Sequence, residues 1–163
     1  MEPQECRDRF ARHLAEETEL LQTLEQQLQH EHELLVANDI EALESASTVR
    51  QQTIARLLRV HEERAGLCKM RNLPRDAAGF ASLLAWCDPT GSLAGAQGLC
   101  ATHAERCRAQ NERNGALVLA RLKRVDGMLG LITGQNALHT YQPRTTARPS
   151  PYITAGRMVS ISA

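Results

Sequence analysis

Aromatic side chains are scarce in this chain: two Phe, two Tyr and one Trp among 163 residues. β-Sandwiches and barrels draw on aromatic and β-branched residues for their pleated faces, so this scarcity argues against both. No run approaches the roughly 18 apolar residues that a membrane span needs, which excludes membrane insertion by a helix. The opening residues Met1-Glu2-Pro3-Gln4-Glu5 lack the basic and apolar regions of a secretory signal, so a cytoplasmic location is expected. The five cysteines (Cys6, Cys68, Cys87, Cys100, Cys107) are odd in number and contain no C-x-x-C, which favours reduced thiols. No phosphate loop of the G-x-x-x-x-G-K-[ST] type, no Ser-His-Asp set and no paired carboxylates emerge, so neither an enzyme nor a cofactor is expected.

What is abundant is Leu and Ala, 22 of each. An aliphatic core of these residues suits helices packed side by side, and an all-α protein is predicted. The formal net charge of zero conceals an asymmetry. Residues 1–44 hold twelve acids against three arginines and the remainder sixteen bases against seven acids, leaving −9 and +9. A basic remainder could point to nucleic acid, but no RRM, KH, zinc-finger or basic-zipper signature accompanies it. The simpler expectation is an acidic helix lying against basic ones.

Leu14, Leu21, Leu28 and Leu35 form a strict seven-residue repeat, widened by Leu20, Leu24 and Leu34, which predicts a long amphipathic helix from about Glu5 to Val36. Asn38, followed three residues later by Glu41, reads as a capping box that starts a second helix after a reversal. That helix is predicted over about 39–71, antiparallel to the first, with Ile40, Leu43, Ala46 or Ser47, Ile54, Leu57, His61, Ala65 and Cys68 on its inner face. Asn72-Leu73-Pro74 stops it. Asp76 to Cys87 reads as a short helix that carries Phe80 and Trp86 and caps one end of the bundle.

A third long helix is predicted from about Ser92 to Thr133. Its stripe runs Leu93, Gln97, Cys100, Ala104, Cys107, Asn111, Asn114, Val118, Leu122, Val125, Leu129 and Ile132. Its C-terminal half is strongly aliphatic and is expected to carry most of its packing energy. Beyond Gly134, three prolines within residues 143–151 and the acid-free composition after Asp126 predict a flexible, positive interaction tail. The architecture expected is thus an elongated helical bundle over residues 1–139 and a tail over 140–163.

Two local patterns suggest chemistry. Cys100, His103 and Cys107 share a helical face and could hold a metal, but they continue the seam of their helix and no fourth ligand is offered, so no metal is expected. His30-Glu31-His32-Glu33 lacks the one-turn spacing of zinc-binding histidines. His13, His61 and His103 could by position serve a histidine phosphotransfer bundle, yet none stands in an H-x-L-K-G context. A structural coiled-coil adaptor is the other alternative that periodicity leaves open.

The segment Asn111-Glu112-Arg113-Asn114-Gly115 resembles the N-x-x-N-G element of the flagellar export chaperone family FlgN. It is followed by Leu117, Leu122, Val125, Leu129 and Gly134, and then by Thr140-Tyr141-Gln142-Pro143, which is similar to that family's T-Y-G-P signature apart from Gln142. The resemblance implies a non-enzymatic chaperone of flagellar type III secretion. Its clients would be the C-terminal regions of the hook-filament junction proteins FlgK and FlgL, and its docking partner the export-gate component FlhA. By the same resemblance, Tyr141 matches the gate-docking tyrosine, and the end of the third helix with the tail matches the substrate-binding region. The client-binding candidates are Asn111, Asn114, Leu117, Val118, Leu122, Val125, Leu129 and Ile132.

A physical rationale runs alongside. A disordered partner segment can lay an amphipathic helix in a groove using i, i+3, i+4, i+7 anchors, and the aliphatic residues of the third helix offer one wall. Such a stripe is more often bundle core than binding groove, since any surface helix of a globular protein shows one. Asn111 and Asn114 could fix helix register instead of contacting a partner, Tyr141 could be a packing residue, and the exposed helix faces leave a homodimer open.

Overall fold

The computed structural model describes residues 1–133, which form four α-helices and no strand: α1 (Pro3–Ala37), α2 (Ile40–Met70), α3 (Ala77–Cys87) and α4 (Ala94–Thr133). The chain divides into two units with the boundary inside α4, residues 1–114 and residues 115–163.

Within residues 1–114, α1 supplies the central seam. Leu14, Leu21, Leu28 and Leu35 of its heptad are all buried, together with Cys6, Phe10 and Leu20. α1 and α2 run antiparallel: Glu17 pairs with Arg64, Gln27 donates to the Thr53 hydroxyl at 3.0 Å, and Arg50 donates to Glu31 at 2.7 Å. The pairing order is 17 to 64, 27 to 53 and 31 to 50, as a hairpin requires. α4 runs parallel to α1. The Cys107 thiol donates to the Leu21 carbonyl at 3.3 Å and the Asn114 amide to the Leu28 carbonyl at 2.8 Å, one heptad along both helices.

The charge asymmetry resolves into these contacts. The acidic α1 lies against basic neighbours, with Glu17 on Arg64, Glu31 on Arg50, and Glu25 beside both His103 and Arg106. The Arg64 guanidinium also stacks between the Phe10 and Phe80 rings, 5.9 and 5.3 Å from their centroids, so two of the few aromatics serve as its platform.

The reversal between α1 and α2 differs from the expected capping box. Asn38 adopts the left-handed conformation (φ 61°) that closes α1, with its N–H directed at the Leu34 and Leu35 carbonyls. The N-cap of α2 is Asp39, whose carboxylate accepts from the Ala42 N–H at 3.0 Å. Asn is among the residues that tolerate this conformation, which is why it ends one helix and leaves the next to begin with Asp.

The inner face of α2 departs in part from the predicted stripe. Thr53, Leu57, Val60, Ala65, Leu67 and Cys68 are buried, whereas Ile40 is 63% exposed and His61 lies outside, touching the edge of the Phe80 ring. α3 packs on the start of α1 and the end of α2, placing Leu83 and Cys87 against Cys6 and Cys68. Asp76 caps it by accepting from the Gly79 N–H at 2.9 Å. Gly79 is required sterically, since a Cβ there would stand 1.9 Å from the Pro74 carbonyl oxygen.

The turn into α4 is organised by one carboxylate. Asp88 is buried and accepts from the Ser92 hydroxyl (2.7 Å), the Leu93 N–H (2.8 Å), the Ser92 N–H (3.0 Å) and the Thr90 hydroxyl (3.3 Å), while Gly91 takes a φ of 69°. These donors favour the ionised form, the Ser92 hydroxyl most, and hold the Asp88 pKa below its ordinary value.

Candidate functional site

α4 changes character along its length. Its buried residues are Cys100, His103, Cys107, Gln110 and Asn114, and none lies beyond Asn114, near its midpoint. The expectation that the aliphatic C-terminal half carries the packing is therefore reversed. Small and polar side chains let α4 approach α1 closely enough for direct hydrogen bonds to the backbone of α1.

His103 contacts two side chains of α1. Its Nδ1 lies 2.9 Å from a Glu25 carboxylate oxygen and its Nε2 lies 3.3 Å from the Gln22 amide nitrogen. A neutral ring that donates from Nδ1 and accepts at Nε2 satisfies both neighbours. A polar cleft of about 710 Å³ opens beside this pair, between Gln26, Gln29 and Glu33 on one side and Arg106 and Arg113 on the other.

The face that carries Cys100, His103 and Cys107 is thus occupied by partners from α1. Burial pushes the Cys100 thiol up to about 12 and Cys107 up to about 11, with Glu17 and Glu25 respectively adding to the effect. All five cysteines are free and buried. Among the described residues, no group of three or more His, Cys, Asp or Glu side chains is arranged to hold a metal ion. His13 is half-buried with its Nδ1 3.7 Å from Glu63.

The candidate residues fall into two sets. Asn114 is buried, and its side chain bridges both helices: Nδ2 donates to the Leu28 carbonyl, while Oδ1 accepts from Gln110 at 3.2 Å and lies 3.0 Å from His32 Nδ1. Asn111 is exposed, and the buried seam passes through Gln110 instead. Gln110 and His32 are the residues that sequence reasoning missed. Gln110, four positions before Asn114, carried the available signal, whereas nothing in the sequence pointed from His32 to this seam.

From Gly115 to Thr133 the helix carries a second, aliphatic set. Val118, Leu122, Val125, Leu129 and Ile132 recur at spacings of four, three, four and three, which places them on one face. Their exposures are 40%, 55%, 51%, 52% and 78%, and only Leu117 of the set is half-buried. Isolated apolar residues on a surface need no explanation, whereas these five form a contiguous exposed stripe. Tyr141 lies outside the described residues.

A family model, described as FlgN protein, matches residues 6–149. The chain belongs to the FlgN family. The match spans α1 through the exposed stripe and takes in both family-like segments, 111–115 and 140–143. FlgN proteins are flagellar export chaperones, a chaperone family and not an enzyme family. No curated protein and no solved structure matches the chain. Among the described residues no helix is long and apolar enough to cross a membrane.

Proposed function

We propose that this FlgN-family chaperone binds the C-terminal regions of the hook-filament junction proteins FlgK and FlgL in the cytoplasm and delivers them to the export gate. The observation that carries this reading is the exposed stripe Val118, Leu122, Val125, Leu129 and Ile132, which has the i, i+4, i+7 anchors that receive an amphipathic helix. Apolar burial drives capture at about 25 cal/mol per Å². Ordering the client offsets several kcal/mol of that gain, which keeps affinity moderate and allows release at the gate.

Two roles divide the candidate residues. The stripe, with Leu117 at its margin, contacts the client. Asn114 sets the register of α4 on α1, and the exposed Asn111, one turn before Asn114, borders the client site. Tyr141, in the segment similar to the family's T-Y-G-P signature, docks the chaperone on FlhA.

Co-purification with FlgK and FlgL tests the reading, with capture lost when residues 115–163 are deleted. Tyr141→Ala weakens binding to FlhA and leaves client capture intact; equal loss of both would merge the two roles.

A further inference from the structure

We infer that Cys6 and Cys87 are a disulfide-forming pair, a modification site at which a small-molecule disulfide fastens the start of α1 to the end of α3. Three of the buried cysteines meet in one place. Cys6, Cys68 and Cys87 share the core where α3 packs on the start of α1 and the end of α2. Cys6 and Cys68 have no solvent exposure and Cys87 only 4%. Within this cluster the Cys6 thiol is hydrogen-bonded to the Cys87 sulfur, whereas Cys68 acts on Cys6 only through space. Cys100 and Cys107 lie elsewhere along α1, beside Glu17 and on the Leu21 carbonyl.

In the closed fold the pair is protected, since burial pushes the Cys6 thiol up to about 12 and raises Cys87 as well. Both residues, however, stand on segments that open locally. Cys6 lies in the first turn of α1, whose N-cap residue Glu2 makes no side-chain capping bond. Cys87 is the last residue of α3, an eleven-residue helix with three buried residues, Gly79, Leu83 and Cys87. Opening at either place exposes a thiol to a disulfide such as oxidised glutathione. The thiol loses its proton, attacks one glutathione sulfur and releases the other half as reduced glutathione. Reclosure returns the second cysteine, which loses its proton, attacks the protein sulfur of the mixed disulfide and releases the remaining glutathione. Two protein thiols and one oxidised glutathione thus give one protein disulfide and two reduced glutathiones. The new bond closes a loop that holds nearly all of α1, α2 and α3, which restricts the unfolded chain strongly. It also stops α3 from leaving the end of the bundle, so the thiol redox state sets how readily that end opens.

The test incubates the full-length chain with oxidised or reduced glutathione, blocks the remaining thiols and maps the peptides by mass spectrometry without reduction. The oxidised sample is expected to carry one internal bond, Cys6 to Cys87, with Cys100 and Cys107 still blocked as free thiols. Its melting temperature is expected to rise by at least about 4 °C. Amide hydrogen exchange across residues 77–87 is expected to slow at least about tenfold. Cys6→Ala and Cys87→Ala should each abolish both shifts, and Cys68→Ala should retain them. Because all three are core positions, the wild type supplies a control that needs no substitution: dithiothreitol added after oxidation must reverse both shifts. A bond that uses Cys68, Cys100 or Cys107, glutathione adducts with no internal bond, disulfides between chains, or no oxidation at all would overturn the inference. So would a Cys6–Cys87 bond that leaves exchange across residues 77–87 unchanged, or shifts that persist after reduction.

Discussion

The Asn114 side-chain amide donates to the Leu28 carbonyl across the α1–α4 contact at 2.8 Å, and its oxygen is shared by Gln110 and His32. A buried amide with partners on two helices has one satisfactory register, because a slip strands several polar groups at once. Asn114→Leu removes the amide and leaves Gln110 and His32 without their shared acceptor. Unpartnered groups of this kind cost about 1–3 kcal/mol each where they are buried. Asn111→Ala, on the exposed side of the same turn, is expected to stay within about 0.5 kcal/mol. Urea denaturation of the two variants checks the contrast.

Two glycines predict opposite outcomes. A Cβ at Gly79 would collide with the Pro74 carbonyl, so Gly79→Ala must push apart the α2–α3 connection and is expected to destabilise by about 1–3 kcal/mol. A Cβ at Gly115 meets nothing within 4 Å, and the residue sits inside a helix. Gly115→Ala is therefore expected to stabilise α4 by about 0.5–1 kcal/mol through helix propensity alone. Thermal unfolding of both variants reads the two signs.

Asp88 ties acid sensitivity to the α3–α4 turn. Its folded pKa lies below the ordinary 3.8, chiefly through the Ser92 hydroxyl and with help from the Leu93 and Ser92 N–H groups. A group depressed on folding contributes stability that is fully present above its unfolded pKa and is lost as pH falls through the folded one. Denaturation curves of the wild type and of Asp88→Asn are expected to differ most near neutral pH and to converge as pH drops below the ordinary carboxylate range. A constant gap across that range would remove Asp88 from the acid response.

Helix number, order and approximate ends were legible because Leu periodicity, Pro74 and the Asp88–Ser92 loop are local signals. The errors have physical causes. Asn38 and Asp39 are both capable caps, and only the backbone angle of Asn38 assigns one to each helix. Val60 displaced His61, and Gln110 displaced Asn111, because the i+3 and i+4 positions from Leu57 and from Cys107 both continue a seam by one turn, and only the side on which α1 packs chooses between them. The largest reversal concerns Leu122, Val125 and Leu129. Periodicity identifies a helix face, whereas burial depends on whether another element covers it, and these three residues are more than half exposed.

The central claim is that this exposed stripe captures the junction-protein clients. Titration of the purified C-terminal regions of FlgK and FlgL into the full-length chain and its Leu122→Glu, Leu129→Glu variant, with thermal unfolding of both chains in parallel, tests it most directly. Exposed positions tolerate the change, so the variant is expected to unfold within a few degrees of the wild type while losing at least about a hundredfold in client affinity, since two apolar anchors of about 1.5–3 kcal/mol each are replaced by charge. Undiminished binding by a folded variant would contradict the claim and move the client site elsewhere on the chain.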